Sequence, residues 1–280
     1  MDDTKALNSN PSYFRLRQVC LATEDLQRAG ADLSHILRLQ CAHVDAALAQ
    51  FGLRNAVYPV GDSFIELVQG LHPDAAAARF VARSGAARGA YMAIFNASDA
   101  EQRAQQLKRL GLTVALEIRQ DDFYGIQIHP RSSRACMLEI DCTPGEADLH
   151  GTYFAAGGTG WQSAVCTEEA LALPQVGFVS ATPESLAQHW SAMLQLPLSP
   201  VRVNEEQVWR LEPQMCRMEF RGTDPATAPE GERLNSLTIR VRHPQDVLER
   251  ARKRGYALAE PAGFEFSGVH LHFIGESDEL

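Results

Sequence analysis

Leu16-Arg-Gln-Val-Cys-Leu-Ala-Thr-Glu-Asp-Leu26 decides the fold. It reads as an apolar strand that runs into a polar residue suited to cap a helix. The same pattern returns in Tyr91-Met-Ala-Ile-Phe-Asn-Ala-Ser-Asp99, in Gln175-Val-Gly-Phe-Val-Ser-Ala-Thr-Pro-Glu184 and in Ser236-Leu-Thr-Ile-Arg-Val-Arg-His-Pro244. Each copy is followed by an amphipathic helix and then by short strands. A unit repeated at this scale sets the architecture before any single residue does. The chain therefore reads as α+β, built from four strand-helix-strands units in two pairs.

Outward from the first stretch, Leu26, Ala29, Leu33 and Ile36 recur at helical spacing. The second unit opens with Ser98-Asp-Ala-Glu101, a capping box, followed by the stripe Ala104, Leu107 and Leu110 and a stop at Gly111. In the third unit Pro183 suits the first helical turn, and Leu186, Trp190 and Met193 face inward. In the fourth, Pro244 opens a helix packed through Val247, Leu248 and Ala251. The expected organisation is a polar leader over 1–15 and a first domain over 16–148, with modules 16–70 and 90–142. A Gly-rich linker over 149–172 leads to a second domain over 173–280, with modules 173–222 and 234–275. The segment from His72 to Gly85 connects the first two modules, and its Ala-rich start reads as helix.

Composition excludes several classes. At 280 residues and 45% hydrophobic content the chain can bury proper cores. A net charge of −9 gives no basic footprint for nucleic acid or anionic membrane. No apolar run reaches the roughly 18 residues of a membrane helix, and the N-terminus lacks the plan of a signal peptide. The expected location is the cytoplasm. The six cysteines are scattered and none forms a Cys-x-x-Cys pair, so a zinc knuckle or redox motif is not expected. There is no Gly-x-Ser-x-Gly elbow, no His-Glu-x-x-His and no phosphate loop.

With these motifs in view, the chain resembles the vicinal oxygen chelate superfamily. That group includes glyoxalase I, methylmalonyl-CoA epimerase, extradiol dioxygenases and the fosfomycin- and bleomycin-resistance proteins. The first half is most similar to the glyoxalase and epimerase branch. Tyr58-Pro-Val-Gly-Asp-Ser-Phe-Ile-Glu-Leu-Val-Gln69 resembles its strand, Gly-Asp, then Ile-Glu-Leu. Gly125-Ile-Gln-Ile-His-Pro-Arg131 with Met137-Leu-Glu139 resembles its His-Pro turn and closing strand. The resemblance implies four βαβββ modules forming two tandem domains whose curved sheets enclose clefts.

It also implies a divalent metal held by first-strand and last-strand residues of paired modules. Here the corresponding set is Gln18, Glu66, Met92 and Glu139, with Tyr91 next to Met92. In the second half it is Gln175, Glu219, Ser236 and His272. Carboxylates suit hard cations, whereas a thioether does not. The set reads as a degraded metal site expected to hold no metal, the alternative being a divalent ion on Glu66, Glu139 and Gln18. Glu66 and Glu139 are acids framed by apolar neighbours, and burying an unpaired carboxylate is costly. They are the candidate catalytic groups, with Gln18, Met92, Tyr91 and Tyr124 as candidate ligand contacts. The plain alternative is an acid paired with an arginine or with solvent at a sheet edge. Glu219 alternates with Arg217 and Arg221, which reads as a solvated, charge-paired strand surface.

Three functions follow from the resemblance. The first is a glyoxalase- or epimerase-like lyase or isomerase acting on a small oxygenated metabolite in the first cleft. The second is a metal-free protein that sequesters a small-molecule ligand, as in the bleomycin-resistance branch. An extradiol-type dioxygenase ranks third, because Gln175, Ser236 and His272 stand where its iron ligands belong. Modules that pair within one chain or exchange across a homodimer are both compatible with the sequence.

Overall fold

The computed structural model describes residues 12–84, 88–153, 160–224, 231–259 and 262–280. In the first half the elements are β1 (Phe14–Ala22), α1 (Leu26–Leu37), β2 (Leu53–Val60), β3 (Ser63–Gly70), α2 (Ala76–Ser84), β4 (Met92–Ala97), α3 (Ala100–Arg109), β5 (Val114–Arg119), β6 (Tyr124–Ile128), α4 (Pro130–Ser133) and β7 (Met137–Cys142). The second half holds β8 (Ala170–Ser180), α5 (Pro183–Leu194), β9 (Ser199–Val203), β10 (Glu206–Leu211), β11 (Arg217–Gly222), β12 (Arg233–Val241), α6 (Pro244–Lys253), β13 (Leu258–Ala259), β14 (Gly263–Phe266) and β15 (Val269–Ile274).

The four repeated stretches supply the central strands of two sheets. The first sheet has the order β2-β3-β1-β4-β7-β6-β5, and the second β13-β14-β15-β12-β8-β11-β10-β9. In every module the opening strand pairs parallel with the closing one: β1 with β3, β4 with β7, β8 with β11 and β12 with β15. The opening strands of partner modules pair antiparallel, β1 with β4 and β8 with β12. Both pairings are made within one chain, as four modules in two curved sheets.

The helices form a shared layer between the sheets. One apolar cluster joins α1, α3, α5 and α6 to the inward residues of both sheets, with Trp190 and Phe178 among its largest members. Polar ties cross the same layer. Asp32 on α1 accepts from Arg254 Nε and from the Tyr256 hydroxyl, both at 2.7 Å. Arg103 on α3 donates to the carbonyl of Leu194, at 2.7 Å. The opposite face of each sheet, turned away from this layer, is its cleft face.

Several local expectations are corrected. The leader expected to end at residue 15 gives way earlier, because β1 starts at Phe14, whose ring stacks on Phe95 at 5.1 Å. Residues 1–11 of that leader lie outside the described residues. Ser98 does not cap α3; its hydroxyl accepts from the Tyr13 amide at 3.2 Å, and Asp99 takes the N-cap position. Leu110 closes α3 as an exposed residue instead of a buried one. In the first module the strand after α1 contracts to a single bridge between His43 and Val57, since Asp45 starts a short 3₁₀ helix there. The segment 149–172 is more than a linker: Tyr153 and Trp161 pack onto Phe64 of β3 at 5.1 and 4.9 Å. Part of its glycine run, 154–159, lies outside the described residues.

Candidate active site

The cleft face of the first sheet is built by strand alternation and one irregularity. On β3 the residues Phe64, Glu66 and Val68 share this face. On β1 the pairing with β4 steps from Leu16 opposite Phe95 to Gln18 opposite Ile94. The bulge at Arg17 therefore puts Arg15, Arg17, Gln18 and Cys20 on one side. A period-2 reading would have sent Arg17 to the face opposite Gln18.

Glu66 is buried and held by amides. Gln18 Nε2 donates to its Oε2 at 2.8 Å, and Asn55 Nδ2 to its Oε1 at 2.7 Å. Burial pushes the carboxyl up, and these donors with the Cys20 thiol pull it partly back. Asn55 also lines a groove of about 500 Å³ bounded by Leu26, Gly30, Cys41 and Tyr58. Glu139, on β7, accepts from Gln127 Nε2 at 2.6 Å. Burial raises it to about 7, and the neighbouring charge of Glu66 adds to the shift. β1 and β4 lie between the strands of the two acids, a span of about 14 Å at 4.8 Å per step in a flat sheet. The charge of Glu66 nevertheless reaches Glu139, because both side chains lie on the same face.

Beyond Glu139 the polar lining continues. Asn96 Nδ2 donates to Asp141 Oδ1 at 3.0 Å and to Glu146 Oε2 at 2.5 Å, while Arg15 Nε donates to Asn96 Oδ1 at 3.2 Å. Burial also raises Asp141 and Glu146. Arg17 Nη2 donates to the Leu149 carbonyl at 2.7 Å. Among the described residues, most buried side-chain polar atoms without a hydrogen-bond partner gather here: Arg17 Nε and Nη1, Gln18 Oε1, Asp141 Oδ2, Thr143 Oγ1, Glu146 Oε1 and the Tyr153 hydroxyl. Buried polar groups are ordinarily satisfied, so such a cluster marks a place built for something polar. A roof closes over it. α2 lays Ala77, Phe80 and Val81 on Cys20, Val68, Met92 and Ile94, and Tyr153 with Trp161 covers Val57 and Phe64.

The expected residues meet unequally. Gln18, Glu66 and Glu139 share the cleft face. Met92 lies between Cys20 and Met137 in strand register, inside the apolar patch under α2. Tyr91 stands at the rim with its ring edge-on to Phe80 at 5.3 Å. Tyr124 faces the other way: it lies in the helix-side core and its hydroxyl donates to Glu117 at 3.0 Å, which corrects its expected place in the cleft. In the second sheet Gln175 reaches Glu219 at 3.4 Å, with Ser236 paired to His270, and Thr238 to His272, on the adjoining strands. Glu219 is buried, not solvated, because Arg210 and Arg221 clamp it at 2.6 and 2.7 Å. Asn55, Gln127, Arg17 and Tyr153 were not singled out from sequence; the signal available was an amide or cation inside otherwise apolar strands.

The metal set Gln18, Glu66, Met92 and Glu139 does not fit a divalent ion. Both oxygens of Glu66 are taken by amide donors, Gln18 turns its N–H rather than its oxygen toward that carboxylate, and Met92 offers a soft sulfur. Among the described residues no three His, Cys, Asp and Glu side chains are grouped as metal ligands.

Parallel opening and closing strands and antiparallel partner modules, with buried polar side chains on the cleft face, define the vicinal oxygen chelate architecture. More particularly, the chain belongs to the family of the glyoxalase-like domain, whose model matches residues 18–194. Among curated proteins none matches the chain. Among solved structures it is similar to a triple mutant of 4-hydroxymandelate synthase from Streptomyces coelicolor, with 16% identity, TM-score 0.60, and 88% of this chain and 76% of that one covered. A hypothetical protein from Staphylococcus aureus shares 10% identity at TM-score 0.61, over 94% of this chain and 99% of its own. Methylmalonyl-CoA epimerase, solved with methylmalonyl-CoA and NH4+, aligns at 19% identity and TM-score 0.43 over 48% of this chain and 97% of its own. No helix among the described residues is long and apolar enough to cross a membrane.

Proposed function

We propose that this chain is a metal-independent, glyoxalase- or epimerase-like lyase or isomerase that moves a proton on a small oxygenated metabolite in the cleft of the first sheet. One observation carries the reading: Glu66 and Glu139 are buried on the same face and electrostatically linked, with Glu139 raised to about 7. A carboxyl group that titrates near the working pH can both accept and return a proton. Glu66, on the same face, is likewise pushed by burial toward its protonated form, which can donate. The enolate formed by proton removal requires hydrogen-bond donors in the cleft. Gln18 and Asn55 hold Glu66 in place, and Gln127 holds Glu139.

The test is solvent-deuterium exchange into 2-oxo acids and short acyl thioesters, followed by proton NMR, with metal content measured on the same preparation. Exchange should persist in the presence of a chelator and fall by about 10²–10⁴ in Glu139→Gln. Wild-type exchange in that variant would sink the assignment. A second reading, a protein that binds its ligand without turnover, draws on the roof of α2, Tyr153 and Trp161 over the acids. Ligand binding with no exchange in any condition selects it. Gln175, Ser236 and His272 stand at the positions of the iron ligands of an extradiol-type dioxygenase, which weighs against that third reading.

A further inference from the structure

Arg17 is a buried charged group in the cleft that proton transfer by Glu66 and Glu139 leaves without a task. It is 1% exposed. Its guanidinium carbon lies 5.4, 5.2 and 5.6 Å from the ring centres of Phe64, Tyr153 and Trp161. One nitrogen donates to the Leu149 carbonyl, while Nε and Nη1 have no partner in the protein. A guanidinium cannot shed its proton to escape burial. Unpaired N–H groups on a fully buried cation are costly unless an anion meets them. The nearby acids do not supply it: Asp141 Oδ1 and Glu146 Oε2 are engaged by Asn96, and no hydrogen bond joins Arg17 to Asp141 Oδ2, Glu146 Oε1 or Asp62. Burial favours the neutral forms of both. Flat rings around the cation exclude water and leave it in a low-dielectric setting, where attraction for an anion is strong.

We infer that the molecule bound in the first cleft is a small carboxylic acid, and that Arg17 is the residue that receives its carboxylate. The inference rests on the proton-transfer reading for the rest of the molecule. Arg17 adjoins Gln18, whose Oε1 is also unpartnered and whose amide touches Glu66. Arg17 and Gln18 share one face of β1, so a compound anchored by its carboxylate at Arg17 lies on the face that carries the two acids. The Tyr153 hydroxyl, likewise unpartnered, is available as a second donor to the same group.

The experiment compares pyruvate and lactate with pyruvamide and lactamide, by saturation-transfer NMR and calorimetry. The proteins are the wild type, Arg17→Met, Arg17→Lys and Glu139→Gln. In the wild type each acid should bind at least about 10-fold more tightly than its amide, the span of a charge-assisted hydrogen bond. Arg17→Met should abolish that preference, and Arg17→Lys should retain part of it. Glu139→Gln should keep the preference whatever becomes of exchange, so failure of the proton-transfer reading and failure of this one are told apart. Amides that bind the wild type as tightly as acids overturn the inference, as does an acid preference that survives in Arg17→Met. The absence of binding by all four probes at millimolar concentration also overturns it. Should Arg17→Met fail to fold, the wild-type comparison decides alone.

Discussion

Gln18 on β1 donates its side-chain amide to Glu66 on β3, Nε2 to Oε2 at 2.8 Å, across two parallel neighbours. The amide sits where a metal ligand is expected, and it ties the carboxylate down instead of sharing an ion with it. With Asn55 it fills both oxygens of Glu66.

Removing either donor leaves a buried carboxylate short of partners. Gln18→Leu and Asn55→Leu should each destabilise the protein by about 1–3 kcal/mol, read from urea unfolding. The loss should be larger at alkaline than at acid pH, because the amides act on the ionised form. Equal losses at both pH values would count against an amide-held carboxylate.

Stability itself should fall as pH rises. Glu139 is raised from its ordinary 4.5 to about 7, and Glu66, Asp141 and Glu146 move the same way. Between those two values the native state binds more protons than the unfolded chain, so each step up in pH favours unfolding. The stabilisation from Glu139 is complete below 4.5 and is lost as pH climbs through about 7. At about 1.4 kcal/mol per pH unit its share is on the order of 3 kcal/mol. Urea titrations across this range should show the decline in the wild type and a shallower one in Glu139→Gln. A flat wild-type profile would contradict a neutral buried Glu139.

Glu219 should behave as a structural acid. Its side chain is 2% exposed and bonded to Arg210 and Arg221. Glu219→Ala strands two arginines at that face and should cost about 3 kcal/mol. Proton exchange by the folded variant should remain at the wild-type rate. A selective loss of exchange with stability intact would move function into the second cleft.

The turn between β2 and β3 offers a test of how the halves are joined. Gly61 has φ +59°, and a Cβ there would lie 2.2 Å from the backbone carbonyl of Leu171 on β8. Gly61→Ala combines a left-handed backbone with a clash against a strand of the other sheet. It should lower stability by about 2 kcal/mol or more, measured by thermal unfolding. An unchanged Tm would mean that the two sheets separate easily at this point.

The legible part of the site was the part that follows strand alternation. The family resemblance brought Glu66, Glu139 and Gln18 together, and alternation along paired strands keeps them on one face. Arg17 could not be placed there, since a single bulge reverses the alternation at that residue. Tyr124 was misplaced for a related reason: an aromatic residue on a half-buried strand is equally at home on either face, and only its packing against the helix side resolves which. The partners Asn55 and Gln127 come from β2 and β6, whose contact with the acids depends on register across neighbouring strands.

The repeat of four apolar strands with capped helices was enough to determine the modules and their helical faces, because hydrophobic spacing and turn chemistry act over a few residues. Tertiary structure alone decided what covers the first cleft. α2 and the residues Tyr153 and Trp161 belong to stretches read locally as connections, yet they cover the cleft. That roof removes the acids from water, and desolvation, which no local pattern encodes, is what brings Glu139 to about 7.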